Sequence, residues 1–162
     1  MNLIKTTELI KEPIRALWWR QPYATLMLHG KIETRTWGTE YRGLVLICAS
    51  KLPYTVDDVA AISDKHCLSI HEILKQESKP DFDYGRPFSN IPQGVAIAVG
   101  RLVESRLMVR ADEKKAFVVY YPELYCHLYA DVTPIKPFEI KGCQGWKKLE
   151  GDVWDKIEFV NN

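Results

Sequence analysis

Three ionisable side chains, Lys31, Glu33 and Arg35, recur at every second position just after Gly30, with Ile32, Thr34 and Thr36 between them. On an extended chain a period of two gathers the ammonium, carboxylate and guanidinium on one face and turns Thr34 to the other. A carboxylate so placed can orient a water as general base, and the guanidinium can stabilise a developing anion. The lysine can join as a base only if burial or Arg35 pulls its pKa well below ~10.4, an effect that contact with Glu33 opposes. The same heads could instead read the edge of a flat heterocycle without reacting, since a base stacked on Trp or Tyr gains ~1–3 kcal/mol. Suitable groups flank the stretch on both sides: Trp18, Trp19, Arg20, Gln21 and Tyr23 before it, Trp37, Tyr41 and Arg42 after it. Alternating charge is also the usual mark of a solvated strand face, and a fixed Glu33–Arg35 pair that merely shapes a cleft competes with direct chemistry. The candidate catalytic set is therefore Lys31, Glu33 and Arg35, and the candidate ligand-binding set Arg20, Gln21, Tyr23 and Trp37. Strand alternation turns only one of Trp18 and Trp19 toward the cleft.

These residues need elements to hold them. Pro22 suits the first position of a short helix whose Leu26, Met27 and Leu28 face inward, and Gly30 supplies its positive-φ stop. Ala16–Arg20 reads as a first strand and Gly43–Ser50 as a buried one. Thr55 and Asp58 have capping-box spacing ahead of Val59, Ala60 and Ile62, and the Ser69–Glu72 segment repeats the signal, so two short helices separated near 63–68 are expected. Residues 76–94, with three prolines and two glycines, make a long loop that Phe82, Tyr84 and Phe88 would anchor as an ordered flap. Gly94–Ser105 reads as a core strand with a bulge at Gly100, Arg106–Lys115 as a turn or weak helix, and Ala116–Tyr121 and Leu128–Val132 as further strands, the last closed by Thr133-Pro134. A strand-like PFEI segment follows, then Trp146 as a plug for the barrel or its rim. The order implies an α+β domain, residues 14–162 behind an arm of residues 1–13. Its economical form is a small, mixed and mostly antiparallel β-barrel with short helices at its ends.

Composition narrows the class. A chain of 162 residues with four cysteines and no C-x-x-C pair needs no disulfide framework and offers neither a zinc ribbon nor a redox motif. His66, Cys67 and His71 do not converge at their spacing, so no metal and no cofactor are expected; His29 should meet the last carbonyls of its helix and His127 should form a wall. Glu104 and Glu123 read as surface acids near strand ends, with a place as a third member of the cleft as the alternative. A net charge of +1 gives no global signature of a polyanion partner, yet residues 15–51 carry six basic against two acidic groups, a local +4. No membrane segment is visible, and the expected compartment is the cytoplasm.

Read together, WWRQPYATLMLHGKIETRTW, EYRGLVLICASK and PIKPFEIKGCQGW resemble the ASCH domain family over about residues 15–147. Their counterparts there are R-Q-P-[WY]-A, G-x-K-x-x-E-x-R, R-G-x-[IL]-x-I-x-A-[ST] and P-[IV]-P-x-x-G-x-x-G-[LW]. The resemblance implies a PUA-like β-barrel and binding of RNA or a modified nucleoside in a cleft beside the motif, carried by Arg20, Gln21, Gly30, Glu33 and Arg35, with Lys31 provisional. One branch is similar to N4-acetylcytidine amidohydrolases, in which a lysine, a threonine and a glutamate are the proposed catalytic groups. A departure from the pattern is that Lys31 precedes Glu33 by two residues, one short of the family spacing. A protein-interaction module is a third implication, from the family's occurrence in transcription-related proteins.

Overall fold

Strand β1 (Ile14–Trp19) and strand β3 (Gly43–Ala49) pair in parallel, Ile14 opposite Leu44 through Trp19 opposite Ala49. Both are apolar on each face because both faces are covered, as parallel pairs require. Ile14, Ala16, Trp18, Leu44, Leu46 and Cys48 enter one core; Leu17, Trp19, Val45, Ile47 and Ala49 enter a second on the other face. In the computed structural model, which describes residues 12–52, 54–75, 77 and 90–160, these strands lie within a six-stranded mixed sheet. The other strands are β2 (Glu33–Arg35), β4 (Val95–Leu107), β5 (Tyr125–Glu139) and β6 (Lys147–Lys148). Their order is β2-β5-β4-β3-β1-β6, and every pair except β1/β3 is antiparallel.

The sheet is a curled half-barrel and not the closed barrel expected, since it keeps two edges, at β2 and β6. Three strands separate β2 from β1, yet Arg35 on β2 donates from Nη2 to the Trp18 carbonyl of β1 at 3.0 Å. Curling thus brings the two rims within side-chain reach. β6 pairs only with Arg15 and Ala16, so it leaves the Leu17–Trp19 end of β1 open on that side.

Register shifts supply the curvature. β4 and β5 lose register between Ala96 and Ala98, Val99 and Arg101, and Leu102 and Glu104, so the expected irregularity at Gly100 is present. A Cβ on Gly100 would lie 3.0 Å from Val132 and 3.3 Å from the Tyr129 ring, which is why no side chain stands there. β5 does not stop at Thr133-Pro134 but runs through it to Glu139, with Pro134 opposite Ala98. The stretch read as a strand at 116–121 is instead the end of α4 (Glu113–Ala116) and an irregular segment, because Phe117 takes a left-handed φ of 57° and turns the chain away.

Helix α1 (Tyr23–Met27) lies on the second core through Ala24 and Met27, while its Leu26 joins Ile70, Leu74, Ile91 and Phe117 in a third apolar cluster. Helix α2 (Val56–Ala60) has the anticipated capping box, Thr55 with Asp58. Helix α3 (Asp64–Leu74) begins earlier than expected, since Ser63 accepts from the His66 N–H; Ser69 is interior and its hydroxyl donates to the Lys65 carbonyl. Pro22 precedes α1 as its N-cap instead of occupying its first turn, and the Gln21–Pro22 peptide is cis. The anchors of the expected flap, Phe82, Tyr84 and Phe88, and most of the arm of residues 1–13 lie outside the described residues.

A fork between Arg106 and Asp112, at 2.7 and 2.8 Å, closes the turn after β4, and Asp112 also accepts from the Val109 N–H. The Arg106 guanidinium holds the Asp112 carboxyl down at about 2. An acid with a depressed native pKa adds stability above its unfolded value and loses it as pH falls through the native one. Asp112→Asn should therefore cost about 2 kcal/mol at neutral pH. In urea unfolding, that deficit should shrink as pH is lowered from about 4 toward 2.

Candidate functional site

Gly30, at φ +80°, turns the chain out of α1, and the Lys31 N–H then bonds the Leu26 carbonyl at 3.2 Å. This hook carries Lys31 back under the helix, two residues before β2 begins. Its side chain is almost wholly buried; Nζ donates to the Ile32 carbonyl at 2.9 Å and to Glu33 Oε2 at 3.1 Å, and lies 4.9 Å over the Tyr23 ring. Burial lowers the Lys31 pKa from the ordinary lysine value, and the Glu33 carboxylate pushes it back up. Burial is the larger of the two influences, so the net displacement of the Lys31 pKa is downward.

Glu33 is the middle of a chain of three charges. Its other oxygen, Oε1, faces Arg35 Nε at 2.9 Å, an ion-pair distance at which Nε has no aligned hydrogen-bond acceptor. The Arg35 guanidinium is spread between two indoles, 5.3 Å from the Trp19 ring and 5.8 Å from that of Trp37. The expectation that Lys31, Glu33 and Arg35 share one wall therefore matches the structure, with the difference that only Glu33 and Arg35 stand on the strand.

These groups border a cleft of about 250 Å³ lined by Trp18, Trp19, Arg20, Tyr23, Lys31, Glu33, Thr34, Arg35, Tyr54 and Val118. Arg20 and Tyr54 form another side of it, and α2 holds Arg20 from outside the lining. Asp58, fixed by Thr55, takes Arg20 Nη2 at 2.8 Å, and the Arg20 guanidinium stacks 4.8 Å from the Tyr54 ring. Tyr54 in turn meets Tyr23 edge to face at 5.1 Å. The helix cap is thus also the clamp that sets a cleft arginine.

Sequence analysis assigned seven candidate residues to this cleft, and five of them line it: Arg20, Tyr23, Lys31, Glu33 and Arg35. Gln21 does not. It is fully buried, donating from Nε2 to the Pro92 carbonyl at 2.8 Å and accepting from the Thr25 N–H at 3.0 Å, so its amide ties α1 to the segment after the long loop. Trp37 does not border the cleft either; its ring packs on His127 and Trp146, behind Arg35. Thr34, expected on the opposite strand face, contributes to the wall. Trp18 and Trp19 enter opposite cores, as alternation demands, yet both reach the cleft lining, and Trp19 is the one beneath Arg35.

His29 is corrected similarly, whereas Glu104 and Glu123 are exposed, as their reading as surface acids expects. His29 pairs with Glu77 at 2.8 Å and not with helix carbonyls. His127 is wholly buried opposite Glu33 in the β2/β5 register; its Nε2 donates to the Trp37 carbonyl, and burial lowers its pKa. Glu104 faces Arg106 at 3.6 Å and Glu123 accepts from the Tyr121 hydroxyl, both outside the cleft lining. Sequence reading missed Tyr54, Val118 and the clamp role of Asp58. Only the last left a signal, its capping-box spacing.

Among the described residues no group of three or more His, Cys, Asp or Glu could hold a metal ion, and no helix is long and apolar enough to cross a membrane. Compared with protein-family models and with curated proteins, the chain has no match in either.

Proposed function

We propose that this chain is an ASCH-type domain of PUA-like architecture whose cleft binds RNA or a modified nucleoside. The observation that carries the reading is the desolvated Lys31–Glu33–Arg35 chain of charges in a cleft walled by Trp19, Tyr23 and Tyr54. Aromatic faces offer a flat ring its stacking surface, and Glu33 and Arg35 offer acceptor and donors to its edge. The charges are already paired and held, so little ordering cost falls on binding. The mixed, curled sheet and the arrival of Arg20, Lys31, Glu33 and Arg35 at one cleft support the resemblance seen in sequence.

A second reading, amide hydrolysis of an N4-acetylcytidine-type nucleoside, is favoured by the lowered pKa of Lys31 and by Thr34 bordering the cleft three positions later. In that reaction water adds to the acetyl carbonyl, the C–N bond breaks, the amine takes a proton and acetate leaves. Titrating the protein with cytidine, N4-acetylcytidine and short single-stranded RNA separates the readings. Saturable binding without acetate release, weakened at least tenfold by Arg35→Ala and by salt for RNA, supports the binder. Acetate release lost in Glu33→Gln supports the hydrolase. No binding of any of the three at millimolar concentration overturns both.

A further inference from the structure

Beside the cleft lies a second and larger hollow, about 330 Å³, lined by Asp58, Ala61, Ile62, Ser63, His66, Phe117 and Val119 together with Tyr23, Tyr54 and Val118. The last three line both spaces, so the Tyr23–Tyr54 edge-to-face pair is a partition between adjoining rooms. His66 is 3% exposed, and among the described residues its Nε2 has no hydrogen-bond partner; the nearest anionic atom there, Glu113 Oε1, is 3.7 Å away. A buried polar nitrogen without a partner is costly, and His66 borders the hollow with its Nε2 held out of solvent contact.

From this geometry we infer that the second hollow receives the neighbouring base of a single-stranded oligonucleotide whose first base occupies the cleft. The inference rests on the nucleoside-binding reading of the cleft and extends it from a mononucleoside to at least a dinucleotide. The chemistry of the walls selects a ring over a phosphate. Phe117, Ile62, Val118 and Val119 are apolar, while Asp58 on the wall and Glu113 beside His66 repel an anion. The Ser63 hydroxyl and the Asp58 carboxylate on the same wall can meet the donors and acceptors of a base edge. The linking phosphate would cross at Tyr54, where the Arg20 guanidinium lies over the ring. Two bases seated through one linker bind as a single bivalent ligand, which raises affinity without any new contact in the cleft.

The test is calorimetric titration with cytidine, with cytidine monophosphates that carry the phosphate alone, and with cytidylyl-adenosine and adenylyl-cytidine, on the full chain and on two blocking variants. Ala61→Trp and Val119→Trp start from exposed positions on different segments bordering the second hollow, so each fills it with little demand on the core. At least one dinucleotide should bind tenfold or more tighter than either monophosphate. Both variants should abolish that gain and leave cytidine affinity unchanged. Equal affinity for dinucleotides and monophosphates, or a gain that survives both variants, overturns the inference. If cytidine still binds and Glu33→Gln weakens it, the cleft reading stands while its extension falls; if nothing binds the unaltered chain, both fall together.

Discussion

Glu33→Gln should lower both stability and ligand affinity, and the stability loss should depend on pH in a defined direction. Lys31 Nζ has two acceptors, one a backbone carbonyl and the other Glu33. Removing the carboxylate leaves a buried ammonium without its counter-charge, a change that costs roughly 3 kcal/mol when one partner of a buried pair is lost. For a domain of this size that corresponds to a melting temperature about 9 °C lower. Burial then acts unopposed, so the Lys31 pKa falls further in the folded state. A lysine whose folded pKa is depressed binds fewer protons when folded than unfolded, so stability rises with pH between the lowered value and the ~10.4 of an exposed lysine. The gap between variant and parent should narrow as pH is raised from 7 toward 10. Pairing the change with Lys31→Met removes the stranded charge and should recover most of the stability while leaving nucleoside affinity at least tenfold down. Recovery of both would place Glu33 outside recognition. A pH-independent gap would mean that Lys31 is not the source of the cost.

Trp19→Ala carries the second large effect. The indole is 3% exposed, meets Tyr129 edge to face at 6.0 Å and supports the Arg35 guanidinium from 5.3 Å. Truncation removes a large buried ring from the second core and leaves a cavity beneath the cleft, at a cost of about 3–5 kcal/mol. The melting temperature should fall by about 10 °C. Trp19→Phe keeps an aromatic floor and should lose less than half as much stability while retaining measurable nucleoside affinity. If thermal unfolding of Trp19→Ala matched the parent, the ring would not be part of the core that shapes the cleft.

The charged trio was legible in sequence because its chemistry is local: residues two apart stay neighbours whether or not the strand is long, and Gly30 marks the turn that delivers them. The buried pattern of β1 and β3 was legible for a similar reason, since a strand covered on both faces reads as a continuous apolar run. Gln21 and Trp37 were harder. An amide aimed at a ligand and one aimed at the Pro92 carbonyl are the same letter, and only the fold shows that both ends of Gln21 are occupied within the protein. Trp37 stands beside the trio in sequence but packs behind Arg35 on His127 and Trp146, partners that lie far along the chain. The segment 117–121 has the residues of a strand, yet Phe117 reverses the backbone and Glu113 takes the Tyr120 N–H at 2.8 Å, so tertiary contacts override propensity. Pro134 conversely sits inside a strand because a register shift next to its partner Ala98 absorbs the missing donor.

The near-meeting of the sheet's rims has a mechanical consequence. Arg35 reaches the Trp18 carbonyl across a seam that three intervening strands would otherwise hold apart. A guest lodged at that seam would touch both rims at once, like a rivet through two plates. Its hold would register as resistance to unrolling along β3, β4 and β5, far from any atom it touches, and not as stiffening of the nearest loop alone.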